Sequence, residues 1–107
     1  MKHQAPRGTE DLFPAEAHAW RTIESRYFEL ARRYGYGEVR TPMFEDAALF
    51  DRTAGEFSDI VQKEMYVFRD RGDRLLALKP EGTAPIVRAV IEGGKLQSGG
   101  HLRLAYR

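Results

Sequence analysis

Apolar side chains recur at steps of three and four residues in the first third of the chain, the spacing of one helical face. The run begins after Pro14, a residue suited to an early helical position. Its members are Trp20, Ile23, Tyr27, Leu30, Ala31 and Tyr34. Glu16 near its start and Arg32 and Arg33 near its end oppose the helix macrodipole, and Gly35 supplies a stop. The pattern predicts a long amphipathic helix after a looping lead-in.

The middle of the chain favours short strands. "GEVRTPMF" predicts one strand in which Val39 and Thr41 share a side, and Pro42 limits it to an edge or interface because proline lacks a ladder donor. "KEMYVFRD" and "RLLALK" are β-prone runs joined through residues 71–73, which predicts an antiparallel hairpin. Ahead of the hairpin we expect a helical turn around residues 47–50 and a loop through Gly55.

The spacing of apolar residues changes again in the last third of the chain. After Pro80 the spacing becomes helical, with Thr83 as the expected N-cap. The common apolar side of this helix holds Ile86, Val87, Val90 and Ile91. "EGGKLQSGGH" should end the helix in a glycine-rich loop, and "LRLAYR" predicts one more strand. That strand would leave apolar side chains uncovered at Arg107, so we expect the chain to be part of a longer protein.

Composition describes a packed domain rather than a disordered or fibrous chain. Of 107 residues, 42% are apolar and 31% charged, and a chain of this length can bury about two thirds of its unfolded surface. Lysine and arginine number 17 against 16 acids, so the net charge of +1 gives no broad argument for nucleic acid or an anionic membrane. Any such partner has to be argued from local features.

Several function classes are excluded by residue type. The absence of cysteine removes disulfides, thiolate zinc sites and a cysteine nucleophile, and suits a reducing compartment. His3, His18 and His101 are scattered without a ligand spacing, so no metal site is expected. The first twenty residues do not resemble a secretory signal, and no 18-residue apolar span occurs. We expect a cytoplasmic protein with no membrane partner.

The most informative short stretch is "LALKPEGTAPIVRA", which places Glu81, Gly82 and Thr83 between a strand and a helix. Taken alone, this pattern favours a structural interpretation, with Glu81 a solvated turn residue and Thr83 a helix cap. The functional alternative is that the Glu81 carboxylate contacts a ligand.

Other polar residues are weaker candidates. Arg7 in "RGTED" could approach a phosphate or RNA, but an arginine in a leading loop is more often a surface ion pair. Asp59, Lys63 and Glu64 in "SDIVQKEM" are typical of a solvated face. His18 and His101 are most simply surface residues. Trp20, Tyr27 and Tyr34 at helical spacing favour a core or interface over base stacking.

Four phrases, in order and at matching spacing, resemble the N-terminal part of the bacterial-type histidyl-tRNA synthetases, a class II family. They are "PRGTEDLFP", "YGEVRTPMFE", "GEFSDIVQKEMYVFRDRGDRLLALKPEGTAPIVRA" and "LRLAYR". The resemblance covers nearly the whole chain and departs from the family at Lys79, usually arginine, and Ser58, often threonine. Lysine lacks the guanidinium fork, so any bidentate contact at position 79 would be weakened.

The resemblance implies an α+β fold, an antiparallel sheet with flanking helices, as part of a class II catalytic domain. Motif 1 would span about 14–46 and form much of a homodimer interface. The histidine-site segment would span about 76–90, and motif 2 would begin at about 102–107. Glu81 would pair with the α-ammonium of histidine, Gly82 would let the backbone pass close to the ligand, and the Thr83 hydroxyl would add a hydrogen bond.

The implied activity is ligation of histidine to tRNA(His) through histidyl-adenylate, with ATP and Mg²⁺. The catalytic residues are expected beyond Arg107, so this chain alone should be inactive. One alternative is the synthetase-like regulatory subunit of ATP phosphoribosyltransferase, a binding protein of histidine biosynthesis. The intact Glu-Gly-Thr favours the enzyme, since that paralogue more often carries an aspartate variant near this position. A second alternative is a free-standing dimerisation module.

Overall fold

The structure is a computed structural model that describes residues 2–53, 64–96 and 100–107. It divides into two units, Met1–Tyr36 and Gly37–Arg107. The elements in chain order are helix α1 (Pro14–Arg33), strands β1 (Gly37–Glu38) and β2 (Phe44–Asp46), helix α2 (Ala48–Thr53), strands β3 (Val67–Arg69) and β4 (Leu75–Leu78), helix α3 (Thr83–Glu92) and strand β5 (Leu104–Ala105).

The first unit is built on α1, and the predicted long helix is confirmed. It starts at Pro14 and ends in a Schellman motif, in which Tyr36 N–H donates to the Ala31 carbonyl at 2.9 Å and Gly35 N–H to the Arg32 carbonyl at 3.0 Å. Gly35 has a φ of +83°, the left-handed conformation that this stop requires. None of the residues of α1 is buried. Of the two expected roles, core or interface, the stripe therefore does not show the core role within the described residues.

The second unit contains a three-stranded antiparallel sheet in the order β2-β4-β3, which confirms the predicted antiparallel sheet with flanking helices. The predicted hairpin is β3 and β4, and its turn is held by Asp70. The Oδ1 atom of Asp70 accepts from the N–H groups of Gly72 at 2.9 Å and Arg74 at 2.8 Å. Asp73 adopts a φ of +61°, which short polar side chains tolerate. Gly55 and most of the segment before the hairpin lie outside the described residues.

A second, two-stranded sheet pairs β1 with β5 in parallel, Gly37 opposite Leu104 and Glu38 opposite Ala105. The single strand predicted across "GEVRTPMF" is therefore wrong: β1 ends at Glu38 and β2 begins at Phe44. Pro42 lies in the break, where its missing N–H costs no ladder bond. The strand predicted from "LRLAYR" is confirmed as β5.

The core is small and built largely from alanine. Ala47, Phe50, Ala77 and Ala84 form one buried cluster, with Leu49 and Met65 packed against it. Side chains this short allow a helix to lie close to a strand. The apolar side predicted for α3 is packed only in part, since Ile86 and Val90 are half-buried whereas Val87 and Ile91 are 50% and 73% exposed. The helix buries Ala84 and Pro85 in its first turn.

A buried ion pair crosses the second unit. Glu45, 8% exposed, accepts from Nη2 of Arg88 at 2.8 Å, which ties β2 to α3. Arg88 also reaches Glu92 at 3.1 Å, on the exposed side of the same helix. The hydrogen bond that Arg88 donates to Glu45 is the main cause that raises the pKa of Arg88. Arg88 is therefore charged throughout the range in which proteins are handled.

Neutralising Glu45 should destabilise the fold because a half-buried guanidinium loses its least solvated partner. We expect Glu45→Gln to lower the free energy of unfolding by about 2 kcal/mol, measured by urea denaturation. Glu92→Gln is the matched control, because it removes an exposed partner of the same arginine and should cost under about 0.5 kcal/mol. Equal losses in the two variants would contradict this account.

The hairpin turn should loosen in acid. Hydrogen bonds from Arg74, first from its backbone N–H, hold the pKa of Asp70 below its usual value of about 4. The ionised carboxylate therefore stabilises the turn above that value, and its contribution is lost as the pH falls through the lower pKa of the folded state. Amide protection of Gly72 and Arg74 should fall over that interval and lose its pH dependence in Asp70→Asn. Asp73→Asn, which also tolerates the positive φ, should leave the profile unchanged.

Candidate functional site

The segment 81–83 joins β4 to α3, as the sequence predicted. The end of β4 is fixed on one side by a backbone hydrogen bond of 3.0 Å from Lys79 N–H to the Met43 carbonyl. On the other side, Gly82 is the N-cap of α3 and Thr83 its first residue. The prediction of Thr83 as the cap is therefore wrong by one position. The segment has little backbone freedom, because both of its ends belong to regular structure.

The carboxylate of Glu81 supplies the cap that Thr83 was expected to provide. Its Oε2 accepts from Thr83 N–H at 2.6 Å and its Oε1 from Ala84 N–H at 3.0 Å. The third helical residue is Pro85, which has no N–H, and Ile86 N–H donates to the Gly82 carbonyl at 3.3 Å. The backbone donors of Thr83, Ala84 and Ile86 are thus satisfied. The carboxylate is held at two points while its residue stays exposed.

This arrangement leaves Glu81 able to bind a cation. An ionised carboxylate has about four acceptor positions, and the helix uses one on each oxygen. The remaining lone pairs belong to an exposed, oriented group. The structural and functional interpretations of Glu81 are therefore compatible, because the bonds that cap the helix also orient the carboxylate.

Tyr106, directly after β5, completes the neighbourhood of the segment and was missed by the sequence analysis. Its hydroxyl lies 2.8 Å from the Thr83 hydroxyl. Its ring packs on Gly82, where an added Cβ would lie 2.8 Å from the ring Cδ2 atom and closer still to Cε2. Gly82 is thus required by a neighbouring aromatic ring, a cause that the sequence did not indicate. An aromatic residue after a strand carries no local signal of such a contact.

A pocket of about 180 Å³ lies beside the segment, and Gly82 and Tyr106 both line it. Val39, Arg40 and Thr41 also line it, so the stretch between β1 and β2 forms part of its wall. Lys79 enters the same wall, and its Nζ lies 3.2 Å from the hydroxyl and 3.4 Å from the carbonyl oxygen of Thr41. Lys79 therefore joins the residue that follows β4 to the stretch between β1 and β2. The lining does not include Glu81 or Thr83.

The weaker candidates gain no support. Arg7, Glu64, His18 and His101 are exposed, and Asp59, Lys63 and Ser58 lie outside the described residues. Within the described ranges, no three histidine or carboxylate side chains cluster as a metal site would require. Among the helices that the structure describes, none is long and apolar enough to cross a membrane.

Comparison with known proteins defines first a class and then a family. The fold matches the crystal structure of apo S. aureus histidyl-tRNA synthetase with a TM-score of 0.83 at 40% identity, over 98% of this chain and 24% of that chain. A protein of this fold, with a polar segment between β4 and α3, falls among the aminoacyl-tRNA synthetases. The histidyl-tRNA synthetase family model matches residues 8–107. The chain belongs to that family, which confirms the resemblance found in its sequence.

Two further comparisons set the extent of the likeness. A histidine–tRNA ligase from Geobacillus thermodenitrificans is 56% identical over 92 residues, covering 86% of this chain and 22% of the relative. A structure from Bacillus halodurans C, described as an ATP phosphoribosyltransferase regulatory subunit/histidyl-tRNA synthetase, matches with a TM-score of 0.78 at 29% identity, over 99% of this chain and 27% of that chain. The chain spans about a quarter of the length of the proteins that it matches.

Adding a methyl group at position 82 should disturb the site through Tyr106. We expect Gly82→Ala to lower the free energy of unfolding by about 1–3 kcal/mol, because the ring or the helix start has to shift. Gly37→Ala is the matched control, since a Cβ there meets no atom within 4 Å. Thermal unfolding of both variants measures the difference. In a Tyr106→Ala background the penalty at position 82 should largely vanish, and a penalty that persists there would refute the steric cause.

Proposed function

We propose that this chain is the N-terminal part of a histidine–tRNA ligase and supplies the ammonium side of its amino-acid site. The observation that carries the proposal is the exposed Glu81 carboxylate, fixed by two backbone hydrogen bonds and still able to accept others. Its setting at the junction of a strand and a helix is rigid, and rigidity is what binding of a small zwitterion requires.

Each residue of the segment then has a role. Glu81 accepts hydrogen bonds from the α-ammonium of histidine, and the Thr83 hydroxyl accepts another. Gly82 has no Cβ, so the backbone can pass close to the ligand and to the Tyr106 ring. With the ammonium held, the substrate carboxylate can face the α-phosphate of ATP and attack it. Histidyl-adenylate forms, pyrophosphate leaves, and the histidyl group passes to tRNA(His). The contribution of this segment is orientation, which can lower a barrier by several kcal/mol.

The remaining chemistry is assigned to other parts of the protein. We propose that 14–46 corresponds to motif 1, 76–90 to the histidine-site segment and 102–107 to the start of motif 2. The catalytic residues and the contacts to ATP would then follow Arg107. ATP is a substrate, and Mg²⁺ accompanies its phosphates.

Homodimerisation through the motif 1 region is part of the proposal. The apolar stripe of α1 supports it, since Trp20, Ile23 and Leu30 are 52%, 62% and 56% exposed, and apolar patches of this kind are typical of interaction surfaces. We place the enzyme in the cytoplasm, where tRNA and ATP meet. If the chain were instead a free-standing dimerisation module, light scattering of these 107 residues alone would give a dimer, and a monomer would remove that alternative.

A regulatory subunit of ATP phosphoribosyltransferase is the second candidate. The Bacillus halodurans C structure supports it, because its description names both proteins and its fold matches this chain. The Glu-Gly-Thr sequence of this chain favours the ligase. Histidine-dependent exchange of pyrophosphate into ATP separates the two, since a protein that binds histidine without activating it produces no exchange.

Glu81→Gln tests the assigned role in the complete protein. The neutral amide keeps an acceptor for the helix but removes the charge that pairs with the ammonium, so histidine use should weaken by about 2 kcal/mol or more, roughly 30-fold in kcat/KM. The KM for ATP should stay unchanged. ATP–pyrophosphate exchange at varied histidine concentration measures both quantities.

Glu92→Gln, at the exposed end of the same helix, is the control and should exchange normally. Unchanged kcat and KM for histidine in Glu81→Gln would refute the role of this carboxylate. If the unaltered complete protein gave no exchange while binding histidine, the regulatory subunit would be the better assignment.

A further inference from the structure

We propose that Tyr106 is a positioning residue for the amino-acid site, acting through the Thr83 hydroxyl. The inference rests on the proposed function and extends it to a residue that touches the site without touching the ligand. Three contacts around the segment 81–83 carry it: the hydroxyl pair, the ring packed on Gly82 and the backbone that anchors Tyr106.

The anchoring of Tyr106 is what makes it suitable for this role. It directly follows Ala105, which is 5% exposed and whose carbonyl accepts from Val39 N–H at 3.0 Å. Pairing of β5 with β1 fixes the two residues before it. The tyrosine therefore projects from a hydrogen-bonded strand end, and its ring is held against Gly82. A side chain placed in this way has few alternative rotamers and can define the position of a partner.

The Tyr106 hydroxyl can orient the hydroxyl of Thr83, as a count of donors and acceptors shows. An ammonium group is a donor and has no lone pair, so Thr83 has to offer it an acceptor. A threonine hydroxyl has one proton and two lone pairs, and its torsion is free unless a partner fixes it. With Tyr106 Oη 2.8 Å away, the Thr83 proton can be directed to the phenol, which leaves both lone pairs for the ligand. Chains of this kind polarise each link and strengthen it.

Glu81 and Tyr106 do not compete for the same group of Thr83. The backbone N–H of Thr83 serves the Glu81 carboxylate, whereas its side-chain hydroxyl serves Tyr106. The two groups proposed to accept from the ammonium are therefore fixed by independent partners, one from the helix and one from β5. Removal of the Tyr106 hydroxyl should therefore affect the Thr83 hydroxyl and leave the Glu81 carboxylate in place.

Tyr106→Phe in the complete protein is the decisive variant, because it keeps the ring on Gly82 and deletes the hydroxyl. We expect KM for histidine to rise about 5-fold in ATP–pyrophosphate exchange, with KM for ATP unchanged. The inhibition constant of histidinol, which retains the ammonium, should rise by a similar factor. That of imidazolepropionate, which lacks the ammonium, should not move. A general distortion of the site would weaken all three ligands together.

A double-mutant cycle with Thr83→Ala shows whether the effect passes through Thr83. Tyr106→Phe should have no further effect on histidine in the Thr83→Ala background. Tyr66→Phe, at a position 75% exposed, is the control and should match the parent. Additive effects, equal losses for imidazolepropionate, or an unchanged KM for histidine in Tyr106→Phe would each overturn the proposal. A loss in Glu81→Gln beside a normal Tyr106→Phe would overturn this inference alone, and absence of exchange in the parent would overturn the proposed function.

Discussion

The small buried cluster that joins α2, β4 and α3 is the constraint on which the rest of the second unit depends. Ala77 on the strand and Ala84 on the helix belong to one buried cluster, and larger side chains at either position would push the helix away. Because the helix lies close, the buried Glu45 can reach Arg88. Four residues separate β4 from α3, and Glu81 among them accepts from the first N–H groups of the helix. The packing of α3 and its ion pair with β2 therefore depend on one cluster.

Local patterns in the sequence predicted those elements whose cause is itself local. The 20-residue helix α1, its Gly35 stop and the β3–β4 hairpin follow from periodicity and turn chemistry. The predicted segment 81–83 also falls where expected, at the start of α3. Its role in binding stays a prediction, since no ligand tests it. The family assignment came from phrases in order, a kind of information that does not depend on geometry.

The features that sequence reasoning missed are those decided by contacts between distant residues. Parallel pairing of β1 with β5 joins residues 67 positions apart, as in Gly37 opposite Leu104, and no local pattern announces it. The apolar periodicity of α3 predicted one packed side, of which Ile86 and Val90 are half-buried, but the fully buried residues are Ala84 and Pro85 in the first turn. The cap was misplaced by one position because the Glu81 carboxylate accepts from the N–H groups of Thr83 and Ala84, so that the helix already begins at Thr83.

The link between Thr83 and Tyr106 also has a consequence for how the protein is made. The two residues are separated by 23 positions, and a chain emerges from the ribosome from its N-terminus at about 5–20 residues per second. Thr83 and the helix behind it therefore leave the exit tunnel before the strand that carries the tyrosine. During that interval Gly82 lacks its covering ring and Thr83 lacks its partner. A nascent chain of this protein thus presents the segment 81–83 without its covering tyrosine, and emergence of β5 from the ribosome completes the contact.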